Sequence, residues 1–150
     1  TQLKKLDTII EKKQTILQIY KNNLHGVNGI KIIEPVGNSN HIPFRVAILF
    51  DRKITEIMNY LSNREIETRT FFYPIHKQPC YISCNCLKNN CSDFPNSTYV
   101  YEHGLCMPSY PDLKESEIIY VCDKLKESLH MNDNELYSFN NNLDPYMQMK

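Results

Sequence analysis

The chain has 150 residues, with 17 Lys and Arg balanced by 17 Asp and Glu. That length suits one domain able to bury a core. The neutral balance argues against a nucleic-acid partner, since tracking phosphates takes a basic excess gathered into a stripe. No apolar run approaches the roughly twenty residues of a membrane span, and the N-terminus lacks a signal-peptide layout, so the expected location is the cytoplasm.

Leu3, Leu6, Ile9, Ile10, Ile16, Leu17, Tyr20 and Leu24 recur at helical spacing, with Lys4, Lys5, Asp7, Glu11, Lys12 and Lys13 opposite them. This predicts a long amphipathic helix ended by Gly26. The β-branched and apolar runs Ile30 to Glu34 and Phe44 to Phe50 read as strands parted by Pro35, Gly37 and an Asn/Ser turn. A helix follows from Lys53 to Leu61, with Asp51 as its expected cap. Ile66 to Phe72 reads as a third strand. Pro95 starts a short helix that Gly104 stops, and Ser116 to Leu129 forms the last helix. Beyond His130 the pattern collapses around Asn140, Asn141 and Asn142, so residues 131–150 are expected to be a poorly ordered tail.

Of the six cysteines, Cys80, Cys84, Cys86 and Cys91 fall within twelve residues as C-x3-C-x-C-x4-C. Four thiolates so close can hold zinc tetrahedrally, but the spacing is not that of paired C-x2-C knuckles. Reduced thiols are the favoured reading and a zinc-stabilised interaction module the alternative. With only four glycines, and no G-x-G-x-x-G or G-x-x-x-x-G-K, there is no phosphate-cradling loop. His25, His41, His103 and His130 form no catalytic or metal set by spacing.

The most informative stretch is Arg69-Thr70-Phe71-Phe72-Tyr73-Pro74-Ile75-His76-Lys77-Gln78-Pro79-Cys80-Tyr81. Pro74 and Pro79 fix their own φ and push the residues before them toward extended geometry. Aromatic faces, cations and an imidazole are thereby held out in one stiff segment, chemistry that suits a polyol or phosphate pocket. Arg69 offers a bidentate fork for a diphosphate or carboxylate, with an edge-strand charge in water as the alternative. His76 can donate to a sugar hydroxyl or pair with a phosphate. If the strand continues through Phe71 and Phe72, one faces the core and the other is free for a ligand. Tyr73 and Tyr81 can reach ligand hydroxyls.

This stretch resembles the R-x-F-F-Y-P-h-H-x-Q-P-x-Y motif of the DegT/DnrJ/StrS family of pyridoxal-phosphate-dependent nucleotide-sugar aminotransferases, most closely its perosamine-synthase-like branch. Three further segments agree in order. Gln2-Leu3-Lys4-Lys5-Leu6-Asp7 resembles Q-L-x-x-L-D, with Tyr20 where the family closes that helix. Phe94-Pro95 with Glu102 to Tyr110 resembles the F-P to L-P-S segment, and Glu117 to Val121 the start of the last helix.

The resemblance implies an α+β fold, the small C-terminal domain of a fold-type-I aminotransferase. About three strands with helices on one side would fill residues 1–130, starting in the inter-domain helix. It also implies transfer of an amino group, from glutamate through pyridoxal phosphate, onto a keto-deoxy nucleotide-sugar. Arg69, Phe72, Tyr73, His76 and Tyr81 would be substrate-binding residues. The cofactor would be held mainly by a large N-terminal domain that carries the Schiff-base lysine, and the complete enzyme would be a homodimer. No lysine here matches that motif, so this portion alone is expected to be inactive. A non-catalytic fragment or assembly module is the alternative.

Overall fold

A computed structural model describes residues 3–37, 41–82 and 94–141. A 3-10 turn at Leu3–Lys5 leads into α1, Leu6–Leu24. The helix stops where Gly26 takes a φ of +72° and the Val27 amide donates to the Leu24 carbonyl, a reversal that suits glycine because it has no Cβ to clash. Ile16, Tyr20 and Leu24 are buried, whereas Leu3 and Leu6 remain 83% and 46% exposed. The apolar stripe read from the sequence thus runs further along α1 than the rest of the described fold covers.

The sheet has the strands β1 (Ile30–Ile32), β2 (Val46–Phe50), β3 (Arg69–Thr70) and β4 (Gly104–Met107), ordered β1-β2-β4-β3 with every neighbouring pair antiparallel. The α+β class holds, with one strand more than expected. The extra strand is β4, which Gly104-Leu105-Cys106-Met107 makes central although four residues are too few to display a period. Conversely, the third strand shrinks to Arg69–Thr70. Beyond Met107 its partner continues into Pro108, which has no amide to offer, and before Gly104 the partner chain is helical.

Register decides the two faces, because opposed residues share a side. Val46 and Ile48 face Met107 and Leu105, and with Phe50 they are buried. They pack with α1, with Ile57, Tyr60 and Leu61 of α2 (Thr55–Ser62), and with Ile118, Val121, Cys122 and Leu125 of α5 (Glu115–His130). Each such side chain contributes on the order of 1.5–3 kcal/mol by leaving water. Asp51 does not cap α2 as expected; that place falls to Ile54, while the Asp51 carboxylate lies beside Gly29.

Three helices therefore lie on one face, as the sequence predicts, but α4 (Pro95–His103) approaches the other. Gly104 shares that other face with Leu49, and a Cβ on it would collide with the Phe71 ring and the Val100 carbonyl. Between β3 and α4 lies the single turn α3, Pro79–Ile82.

Residues 131–141 depart from the expected tail. Asp133–Asn141 forms α6, opened by a reciprocal cap in which the Glu135 amide donates to Asn132 Oδ1 and the Asn132 amide to Glu135 Oε2. Leu136 is fully buried, and Phe139 meets Tyr60 at 5.3 Å between ring centroids. A buried leucine and an aromatic contact outweigh the polar composition on which the sequence expectation rests. No helix among the described residues is long and apolar enough to cross a membrane.

Candidate functional site

Of the five residues singled out from the sequence, Arg69 lines a groove that the other four do not. Phe71 packs over Gly104 on the sheet face away from the core helices, and Phe72, its neighbour, stands 97% exposed. The two neighbours diverge, but Phe71 does not enter the main core as expected: it is half-buried beside Gly104 and α4, on the sheet face away from the core helices. Tyr73 is half exposed and sets its ring edge-on to Tyr101, 5.1 Å between centroids at 85°. Pro74 is buried and starts a 3-10 turn over Ile75–Lys77, in which the Lys77 amide donates to the Pro74 carbonyl and the Gln78 amide to that of Ile75.

Within that turn the His76 ring stacks on Phe94, the first residue described after position 82, with 4.9 Å between centroids and 28° between planes. Its Nε2 is buried and has no hydrogen-bond partner among the described residues, a condition that costs free energy unless something completes it. Lys77 reaches Glu102 at 3.8 Å, and Lys53 reaches the same carboxylate at the same distance. Tyr81 lies in α3 and is 42% exposed.

Arg69 lies apart from this group. It sits on edge strand β3, opposite Cys106 and on the face away from the helices, where Glu67 pairs with it. It lines a groove of about 790 Å³ together with Lys13, Arg45, Arg64, Tyr110 and Tyr120, and none of the other four predicted residues lines that groove. Lys13 donates from Nζ to the carbonyls of Phe44 and Ser109, and its pKa is lowered by burial and by Arg45 nearby. Burial also pushes the Cys106 thiol up, against the pull of Arg45, which keeps that thiol protonated and poorly nucleophilic.

The sequence motifs do not single out Arg45. It sits in the bend just before β2 and lines the groove together with Cys106 and Arg69, a placement that no local pattern in the sequence signals. For the zinc alternative, Cys84, Cys86 and Cys91 lie outside the described residues. Cys80 is a free, exposed thiol, and no three His, Cys, Asp or Glu side chains among the described residues come together as a metal set.

Comparison with known proteins matches residues 1–126 to the model of the DegT/DnrJ/EryC1/StrS aminotransferase family. A GDP-perosamine synthase of Escherichia coli O157:H7 is 29% identical over 128 residues, which make up 84% of this chain and 33% of that protein. The GDP-perosamine synthase of Vibrio cholerae is 30% identical over 129 residues, 83% of this chain and 34% of its own length. The chain thus spans about a third of these curated relatives.

Among solved structures, S. venezuelae DesV in complex with a ketimine intermediate superposes with a TM-score of 0.78 at 21% identity, over 87% of this chain and 34% of that one. The aminotransferase TlmJ from Streptoalloteichus hindustanus gives 0.73 at 20%, over 85% and 34%. These likenesses establish the fold, and the extent of the family match establishes membership. The chain belongs to the DegT/DnrJ/EryC1/StrS aminotransferase family.

Proposed function

We propose that the chain serves as the C-terminal portion of a pyridoxal-phosphate-dependent sugar aminotransferase. In that enzyme an amino group leaves glutamate, which becomes 2-oxoglutarate, and replaces the carbonyl oxygen of a keto-deoxy nucleotide-sugar. The reading draws on the family and on the names of the relatives, which are sugar aminotransferases of about three times the matched length. A large domain, a homodimeric assembly and a cytoplasmic setting belong to the same proposal.

The described residues do not fit a pyridoxal phosphate site. The cofactor needs a free amine to condense with its aldehyde and a cradle of donors for its phosphate. Among the described residues, Lys12, Lys21, Lys53, Lys77, Lys124 and Lys126 pair with carboxylates. Lys13 is committed to two carbonyls, and Lys4, Lys5, Lys31 and Lys114 stand exposed at the surface with no cradle of donors beside them among the described residues. The part assigned to this chain is therefore binding the sugar-nucleotide, through Arg69, Phe72, Tyr73, His76 and Tyr81.

The observation that carries this assignment is Phe72, an aromatic ring almost wholly in water on a segment stiffened by proline. Burying such a ring under a ligand recovers about 25 cal/mol for each Å² of apolar surface removed from water. The test uses a polypeptide of the relatives' full length with this chain as its C-terminal part. Supplied with pyridoxal phosphate, glutamate and a 4-keto-6-deoxy nucleotide-sugar, it should yield 2-oxoglutarate and amino-sugar in equal amounts, and Phe72→Ala should raise KM for the keto-sugar. Failure to form amino-sugar from either 4-keto or 3-keto substrates would overturn the proposal.

A further inference from the structure

Lys13 does at the open end of the sheet what a further pair of backbone amides would do. The Ile33 amide donates to the Ala47 carbonyl and the Asp51 amide to that of Gly29, so odd-numbered residues along this strand turn their backbone groups toward β1 and even-numbered ones toward β4. Val46 faces Met107 at the end of the β2–β4 ladder. Continued outward, the same register would make Phe44 and Ser109 the next pair to exchange backbone bonds. The strands stop short of them, and both of their carbonyls accept from Lys13 Nζ instead, that of Phe44 at 3.0 Å.

Helix α1 brings other donors to this end of the sheet. Tyr20 lies about two turns beyond Lys13 and so shares its face, and its buried hydroxyl donates to the Pro108 carbonyl at 2.9 Å. Lys12 adds an ion pair with Asp112 at 2.7 Å, exposed on both sides and so of little weight. Of the three, Lys13 alone bonds the ends of both strands. Its charge is held there at a cost, since burial and Arg45 both disfavour an ammonium, and groups kept in such surroundings gather where binding or chemistry requires them. The neighbours of the two clamped carbonyls line the groove: Arg45 follows Phe44, and Tyr110 follows Ser109. Arg69 lines it too.

We propose that Lys13 is a positioning residue, whose ammonium clamps the open end of the β2–β4 ladder and so fixes Arg45 and Tyr110 on the wall of the groove that Arg69 lines. The inference rests on the reading of Arg69 as a substrate-binding residue of a sugar aminotransferase. Lys13 itself touches no reacting atom in this account. It acts through the two carbonyls, and its loss would let the strand ends part and the groove wall shift, so that affinity for substrate falls while turnover of bound substrate persists.

The test uses the full-length polypeptide and the 150-residue chain. In the enzyme, Lys13→Met should raise KM for the keto-sugar about tenfold and alter kcat by less than about twofold, the pattern of lost binding. Lys13→Arg, which keeps a charged donor for both carbonyls, should recover most of the affinity. Methylammonium added to Lys13→Gly should recover part of it by refilling the space between the carbonyls. A role confined to holding the fold together would lower stability in these variants without separating KM from kcat, and that result would overturn the proposal.

The unsubstituted 150-residue chain gives a second readout that needs no variant to fold. In mildly acidic solution the Lys13 ammonium should give a resolved, slowly exchanging NMR signal, unlike exposed lysines. Lys13→Met should then move the amide signals of Arg45 and Tyr110 and leave that of Leu136, in α6, in place. A Lys13 ammonium that exchanges as fast as exposed ones would overturn the proposal, as would unmoved Arg45 and Tyr110 signals. Active enzyme whose KM ignores Lys13→Met counts against the positioning role alone. A full-length polypeptide that aminates no keto-sugar, while the ammonium signal and the shifts appear as expected, counts against the functional reading alone and leaves the clamp standing.

Discussion

His76 and Phe94 form a face-to-face pair, 4.9 Å between centroids, that ties the 3-10 turn of the proline-rich motif to the residue leading into α4. The pair leaves Nε2 buried without a partner among the described residues, so the imidazole has two separable properties: a ring that packs and a nitrogen that awaits a hydrogen bond. His76→Phe keeps the first and removes the second, whereas His76→Ala removes both.

In the full-length enzyme, both variants should spare the half-reaction with glutamate and slow the half-reaction with keto-sugar. The loss should be roughly 1.5–3 kcal/mol if the nitrogen meets a charged group. In the 150-residue chain only His76→Ala should lower unfolding stability, by about 1 kcal/mol for the lost ring contact. Stopped-flow rates of the two half-reactions and urea unfolding check these outcomes. Normal keto-sugar kinetics in His76→Phe would make the residue a packing element and nothing more.

Glu65 is expected to be a liability. It has a φ of +61°, the one positive value on a non-glycine residue among those described. Its amide donates to the Ser62 carbonyl while the Ile66 amide donates to that of Leu61, the pair of bonds that closes a helix through a left-handed residue where glycine is usual. Leu61 and Ile66 are both buried, the apolar contact that accompanies this closure. Glu65→Gly should raise stability by about 1 kcal/mol, since relief of the left-handed strain exceeds the entropy that glycine loses. A higher urea midpoint with unchanged slope is the expected result, and a lower one would show that the carboxylate has a compensating partner.

How legible an element is in the sequence depends on how many turns or alternations it spans. Nineteen residues of α1 and sixteen of α5 cover several turns, so their apolar periodicity stands out in the sequence alone. At four residues β4 is too short for that, and its central place comes from pairing with Val46 through Leu49, which no local pattern encodes. The motif exposes the chemistry of Arg69, Phe72, Tyr73, His76 and Tyr81 but not their geometry. The aromatic rim assembles around Phe94 and Tyr101, separated in sequence from the motif. Arg45 and Arg69, twenty-four residues apart, come to line one groove only in the folded chain.

The same reasoning applies to α6, whose cap Asn132 and Glu135 spells a visible N-x-x-E signal that its asparagine-rich surroundings obscure. Arg64 lies between its partners there, 3.4 Å from the Tyr60 ring centre and 4.4 Å from that of Phe139. Leu136→Ala should therefore cost about 2–3 kcal/mol, the low end for a fully buried leucine, because a terminal helix can shift to fill part of the void. Equilibrium urea unfolding would measure it. A loss near zero would return residues 133–141 to the expected tail.

Cys122 supplies a prediction about pH. It is fully buried in α5, and burial pushes its thiol up to about 12, with Lys126 opposing and Asp123 assisting. In the unfolded chain the thiol keeps its ordinary value near 9. Below pH 9 both states hold the proton and the group has no effect on the pH dependence. Between about 9 and 12 the unfolded state releases the proton and the folded state retains it, so stability falls as pH rises. One such group steepens the alkaline limb by at most about 1.4 kcal/mol per pH unit. Cys122→Ala should be less stable at neutral pH, having lost a buried side chain, yet its stability should decline less steeply across this window. Urea unfolding at intervals from pH 8 to about 11 would yield the two slopes, and subtracting them removes the tyrosines common to both proteins. Parallel curves would mean that the folded thiol ionises as readily as the unfolded one, and that the site around Cys122 admits water.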